Sequence, residues 1–94
     1  MKKNQKSQSV TKYFKAWPWH ILAEDLARRA GWKWAENNPR RKIFDRRNER
    51  IVAVKLGLKE WKAEHFIAGK LVDSSGIAQE EFVKRIIYEM GIFS

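Results

Sequence analysis

The chain has no cysteine and no long apolar run. Without cysteine it forms no disulfide and offers no thiolate to a metal, so its stability has to come from packing; this composition fits a reducing compartment. No segment approaches the roughly 20 apolar residues that a membrane span needs. Residues 1–15 are polar and basic with no apolar stretch behind them, unlike a secretory signal. We therefore expect a soluble, cytoplasmic protein that does not bind a membrane.

The chain is rich in large apolar side chains. Apolar residues make up 44% of the 94 residues and aromatic residues 13%, which is enough for one modest core and argues against global disorder. The first ten residues, MKKNQKSQSV, are almost entirely polar and show no periodicity. The sequence therefore predicts a flexible basic arm over residues 1–12 and a single domain over residues 13–94.

Positive charge is concentrated in the first half of the chain. The net charge of +9 divides into +5 for residues 1–23, −2 for residues 24–25, +6 for residues 28–50 and zero for residues 51–94. Seven of the eight arginines lie between residues 28 and 50. Because the planar guanidinium matches phosphate geometry, this segregation favours a nucleic-acid partner, although a basic surface can also serve solubility alone.

One helix and three strands are predicted before residue 58. The helix has Pro18 in its first turn and ends at Gly31. The turn signals NNPR and RRNE separate the strands, which are WKWAE (32–36), RKIFD (41–45) and RIVAVKLG (50–57). The third strand is the clearest, since it is rich in β-branched residues.

The rest of the chain is interpreted as two helices. Residues 58–72 carry a loose apolar stripe, and residues 73–91 a broader one, with Ser74 or Ser75 as the cap and Gly91 as the stop. The predicted fold class is α+β. It is a small three-stranded antiparallel β-meander with an N-terminal helix and two C-terminal helices, in the order α-β-β-β-α-α.

The candidate site is the basic β-hairpin together with the lysine arm. Hairpin tips are exposed, so their guanidinium groups are free to meet phosphates; the alternative is a solvated edge on which arginine discourages sheet-to-sheet aggregation. The candidate nucleic-acid contacts are Lys33, Arg40, Arg41, Lys42, Arg46, Arg47, Arg50, Lys12, Lys15, Trp17 and Trp19.

The five tryptophans have two possible uses. Exposed rings stack on unpaired bases, whereas buried rings fill a small core. Trp32 and Trp34 share one strand face and are predicted to lie in the core, although the sequence leaves stacking open. Trp61 is also predicted to be core. Trp17 and Trp19, beside the basic arm, are the better candidates for exposure.

Evidence for catalysis is weak. His20 and Glu24 stand four residues apart on the first helix, but a third ligand at matching spacing is missing. His65 beside Glu64 offers no more, and no Gly-rich phosphate loop, nucleophile elbow or HExxH motif occurs. We therefore predict no catalytic residue, no metal and no cofactor.

The predicted order of elements is similar to that of small toxin nucleases of the HicA type and of double-stranded-RNA-binding domains. Where such a nuclease has a strand histidine, residues 41–43 are Arg-Lys-Ile. Asp45 and Lys55 resemble the ends of a restriction-nuclease motif, but Ala53 replaces the second carboxylate that a magnesium site needs. The sequence is therefore assigned to no family.

The expected function is non-catalytic binding of the phosphate backbone of DNA or RNA through the hairpin and the arm. The alternative is a small regulatory or inhibitor protein that binds another protein, consistent with its Trp and Arg content. A small metal-independent ribonuclease is the second alternative. A homodimer is possible for a chain of this length.

Overall fold

The computed structural model describes residues 17–93. They form one five-stranded antiparallel sheet with one helix before it and one after it. The strands follow one another in the sheet in chain order. The elements are α1 (Trp19–Ala30), β1 (Lys33–Asn38), β2 (Arg41–Arg46), β3 (Glu49–Lys55), β4 (Glu60–Ile67), β5 (Lys70–Gln79) and α2 (Glu80–Phe93).

The first helix ends where the sequence indicates. Gly31 adopts a left-handed conformation (φ 78°); its amide donates to the Ala27 carbonyl at 3.0 Å, and the Trp32 amide donates to the Leu26 carbonyl at 3.4 Å. Pro18 stands just before the helix as its N-cap, and its carbonyl accepts the Ile21 amide at 3.1 Å. The predicted stop at Gly31 is confirmed.

The first three strands also lie where the sequence predicts them. β2 pairs with β3 in an unbroken register from Arg41↔Val54 to Arg46↔Glu49. Along β3, Ile51 and Ala53 are fully buried, whereas Val52 and Val54 are partly exposed. This period of two follows from the alternation of side chains on a pleated strand.

The predicted helix over residues 58–72 is wrong, because the chain forms β4 and the first three residues of β5 there. Trp61, Ala63 and His65 are buried in alternation, which is strand periodicity. Ala68 and Gly69 both have positive φ angles, of 52° and 80°, as a two-residue hairpin turn requires. The chain therefore reverses at residues 68–69 and pairs with itself.

The last helix is shorter than predicted. It begins at Glu80 rather than at Ser74 or Ser75, and it passes through Gly91 to Phe93. Gly91 is buried, and a Cβ there would meet Leu26 Cδ2 at 2.7 Å. Gly91 thus permits the close approach of the two helices instead of ending α2. The predicted order α-β-β-β-α-α is corrected to one helix, five strands and one helix.

Both helices cover the same face of the sheet. The core joins Leu22 and Leu26 of α1 and Val83 and Ile87 of α2 to the inward residues of the strands, among them Trp32, Phe44, Ile51, Ala53, Trp61 and Ala63. The opposite face carries Ile43, Val52, Val54 and Phe66, all partly exposed, and no described element covers it. The structure is a two-layer α+β arrangement with one open sheet face.

Neither described helix is long and apolar enough to cross a membrane. The predicted arm over residues 1–12 lies outside the described residues.

Candidate nucleic-acid interface

The basic residues of the hairpin are divided between the two ends of the sheet. The Arg40 end consists of the turn 39–40, the loop 56–59 and the first turns of both helices. The Arg47 end consists of the turns 47–48 and 68–69 and the last turns of both helices. Strand β2 has six residues, so the two ends lie about 20 Å apart.

Three cations without an ion pair among residues 17–93 lie at the Arg40 end. Arg40 and Lys59 are exposed, and Lys55 is half-buried at the end of β3. The Lys55 amide donates to the Arg40 carbonyl at 2.8 Å, which holds the turn against the strand. Within residues 17–93, none of the three side chains has an ion pair or hydrogen bond. Their charges are therefore available to a ligand.

The start of the described chain lies at this same end. The Lys84 ammonium donates to the Trp17 carbonyl at 2.7 Å, and Trp19 packs on Trp61 with ring centroids 4.9 Å apart. Lys12 and Lys15 are outside the described residues, so their predicted contacts are not placed. Residue 17, to which that segment is joined, is fixed beside the Arg40 end.

Arg41 is bound to a carboxylate, unlike its neighbour Arg40. Its Nε and Nη2 donate to Glu36 at 2.7 and 3.0 Å. The hydrogen bond from Arg41 lowers the pKa of Glu36. A phosphate that recruits this guanidinium therefore has to compete with Glu36.

Lys42 points to the helix side of the sheet. It is the one buried residue among the described contact candidates, and its Nζ donates to Asn37 Oδ1 at 2.8 Å. The ammonium lies 5.8 Å from the ring centroid of Trp19 and 6.0 Å from that of Trp34. Burial lowers the pKa of Lys42. This amine contributes to packing beneath α1 and is turned away from the open face.

At the Arg47 end, Arg46 is bound into the fold. Its Nη2 donates to Glu49 at 3.0 Å, and its Nη1 donates to the carbonyls of Ala30 at 3.0 Å and Gly91 at 3.4 Å. Its Cζ lies 4.5 Å from the ring centroid of Trp32. Since the two carbonyls belong to the last turns of the two helices, Arg46 ties both helices to the β2–β3 hairpin.

Glu49 links Arg46 to a buried histidine. His65 is 2% exposed, and its Nε2 lies 3.1 Å from Glu49 Oε1. Burial acts to raise the pKa of Glu49, but hydrogen bonds from Arg46 and His65 outweigh it, so the net pKa is lowered. The carboxylate is thus stabilised as an anion inside the hairpin.

The remaining cations at this end have mixed surroundings. Arg50 donates through Nε and Nη2 to Asp45 at 2.7 and 2.8 Å. Lys33 and Arg47 are exposed and have no partner among residues 17–93. They line an open cleft of about 630 Å³ with Arg46, but Asp45 and Glu49 line it as well. An anion that approaches here meets carboxylates as well as cations.

The five tryptophans differ in how far they are buried. Trp32 and Trp61 are 1% and 3% exposed, which confirms their assignment to the core. Trp34 stacks on Phe44 at 4.7 Å between centroids. Trp17 and Trp19, the better candidates for exposure, are partly buried against the core and are more exposed than Trp32 and Trp61.

The residues considered for catalysis are not brought together. His20 and Glu24 are exposed on α1, whereas His65 is buried on β4, on a strand and not in a helix. Among residues 17–93, no three His, Asp or Glu side chains are grouped so that they could hold a metal ion.

Sequence reasoning missed three cations that the fold exposes or partly exposes at the turns: Lys55, Lys59 and Lys70. Lys59 and Lys70 were hidden because residues 58–72 read as helix. The signal that could have placed Lys70 is Gly69, because glycine readily adopts the positive φ that this hairpin turn uses.

Compared with protein-family models, with curated proteins and with solved structures, the chain matches none of them.

Proposed function

We propose that the protein binds the phosphate backbone of nucleic acid without catalysing a reaction on it, and that it does so in the cytoplasm. The observation that carries the proposal is the set of cations at the Arg40 end that form no ion pair among residues 17–93, although Glu60, Glu80 and Glu81 stand at the same end. Arg40 and Lys59 lie in two connections at this end, Lys55 is the last residue of β3, and residue 17 leads from this end to a segment with five lysines. Such a cluster is an electrostatic footprint for phosphate.

The Arg47 end is a secondary contact in this proposal. Lys33, Arg47 and Lys70 have no ion pair among residues 17–93, whereas Arg46 and Arg50 are held by Glu49 and Asp45. Phosphate binding releases counterions in proportion to the cations that engage. Ion-paired arginines contribute less, because each has to leave a carboxylate first.

Fluorescence anisotropy with labelled oligonucleotides tests the proposal. For about five phosphate contacts, affinity should fall roughly 500-fold between about 50 and about 200 mM salt. The triple variant Arg40→Ala, Lys55→Ala, Lys59→Ala should weaken binding by about 100-fold at physiological salt, because three contacts are lost. The matched control, Lys33→Ala, Arg47→Ala, Lys70→Ala, removes the same charge from the other end and should cost less than about tenfold.

Two results would contradict the proposal. Absence of oligonucleotide binding at the lower salt concentration would contradict the proposed binding of nucleic acid. Equal losses in the two triple variants would show that net charge, and not the Arg40 end, controls the affinity.

A second candidate function is binding to another protein. The observation that favours it is the edge strand β5, on which Leu71, Val72 and Ile77 are 54%, 52% and 64% exposed. Under this alternative, oligonucleotides do not bind at low salt, and light scattering detects a complex, such as a homodimer, that Ile77→Lys dissociates.

A further inference from the structure

We infer that the nucleic acid is double-stranded; this inference rests on the proposed function. Two independent features of the described residues carry it. All five tryptophan rings are buried or partly buried, and the free cations of the Arg40 end occupy two adjacent turns whose spacing suits two rows of phosphates.

Ring coverage is the first feature. Proteins that hold single strands without sequence preference stack successive bases on exposed aromatic faces. Here Trp19 lies against Trp61 on one side and has the Lys84 ammonium 5.2 Å from its centroid. The Arg46 guanidinium covers Trp32, and Phe44 covers Trp34.

The open sheet face does not replace these rings. At its centre stand Ile43, Val52 and Val54, which are aliphatic. Its arginines are paired across or along strands with acids, as in Arg41–Glu36 and Arg50–Asp45. A strand lying flat on this face would meet carboxylates and, among the residues of the five strands, only the partly exposed ring of Phe66.

Tip spacing is the second feature. Arg40 lies in the turn between β1 and β2, and Lys59 lies in the loop between β3 and β4. These connections are two strand spacings apart, about 10 Å. In a duplex, two rows of phosphates face each other across grooves about 6 or about 12 Å wide. Two basic tips side by side can therefore contact both rows, whereas a single strand offers one row.

The experiment uses the full chain with a duplex of about 20 base pairs and its two separated strands, each as DNA and as RNA. A duplex of this length has about two helical turns and so presents both rows of phosphates. Anisotropy is measured at several salt concentrations. The duplex should bind at least about tenfold tighter than either strand, and Arg40→Ala and Lys59→Ala should each reduce the salt slope on the duplex by about one. The DNA and RNA arms then identify the duplex type.

The outcomes separate the inference from the function. Single strands that bind as tightly as the duplex overturn the inference and leave the proposed function intact. Failure of every oligonucleotide to bind overturns the proposed function. The variant Phe93→Ala completes the test, because Phe93 is 77% exposed. Strong single-strand binding that this variant abolishes would assign base stacking to α2 and overturn the inference.

Discussion

The two ends of the sheet use the same residue types for different purposes. At the Arg47 end, Arg46 binds Glu49 and two helix carbonyls, so its charge stabilises the fold. At the Arg40 end, Arg40 and Lys59 bind nothing among residues 17–93. The difference shows that a run of arginines in a sequence is not one functional unit. Each guanidinium belongs to the fold or to a ligand according to the carboxylates and carbonyls that surround it.

The largest effect that tests this comparison is on stability. Arg46→Ala should lower the free energy of unfolding by about 2–3 kcal/mol, because Glu49 loses its cation and two helix carbonyls lose a donor. Arg47→Ala, its neighbour in the turn, should change the free energy by no more than about 0.5 kcal/mol. Urea unfolding followed by tryptophan fluorescence measures both. Equal stability of the two variants would contradict the conclusion that Arg46 stabilises the fold and Arg47 does not.

The next effect is a pH dependence at the Arg47 end. The pKa of Glu49 is lowered in the folded state, so its contribution is present above its ordinary value of 4.5 and is lost as pH falls through the lowered pKa. Glu49→Gln should therefore be less stable than the wild type at neutral pH, and the gap should narrow below that value. Thermal unfolding across the acid range measures it.

The control for this pH effect is Glu24→Gln, since Glu24 is exposed and has no partner among residues 17–93. Glu24→Gln should leave the dependence of thermal stability on pH unchanged across the acid range. A gap between wild type and Glu49→Gln that persists undiminished to the lowest pH would contradict the linkage.

A smaller effect compares adjacent arginines at the Arg40 end. Arg40→Ala should reduce the salt slope of oligonucleotide binding by about one. Arg41→Ala should reduce it less, because Glu36 already holds that guanidinium through two hydrogen bonds. Anisotropy titrations at several salt concentrations make the comparison. A larger loss in Arg41→Ala would mean that phosphate displaces Glu36.

The smallest effect concerns Lys42. Lys42→Met replaces a buried ammonium, whose pKa burial lowers, by an apolar side chain of similar length. We expect a change in unfolding free energy between zero and a gain of about 1 kcal/mol, and unchanged oligonucleotide affinity. Urea unfolding and anisotropy provide the two readouts. Weakened oligonucleotide binding with normal stability would mean that Lys42 contacts the nucleic acid.

Part of this architecture could be predicted from the sequence. Gly31 as a helix stop and the alternation around Ile51 are local signals, and both are confirmed. Strand β4 was not predicted, because its buried face consists of Trp61, Ala63 and His65. Alanine is small and histidine is polar, so the sequence does not show the apolar period of two. Its apolar residues then fall at a spacing that also fits a helix.

The candidate site could also be predicted only in part from the sequence. The excess of cations around residues 28–50 is visible in the composition, but the sequence does not distinguish Arg46 from Arg47. That distinction depends on the carbonyls of Ala30 and Gly91, which are 16 and 45 residues from Arg46 along the chain. Long-range packing, and not local pattern, decides which arginine is free.

The order of the strands has a kinetic consequence. Each strand pairs with the next along the chain, so the sheet can form by successive short hairpins, a sequence of local steps that costs little loop-closure entropy. The hydrogen bond from Trp32 to the Gly91 carbonyl spans 59 residues and can form only when α2 returns to α1. We therefore expect docking of the last helix to limit the folding rate, with Trp32 fluorescence reporting that step.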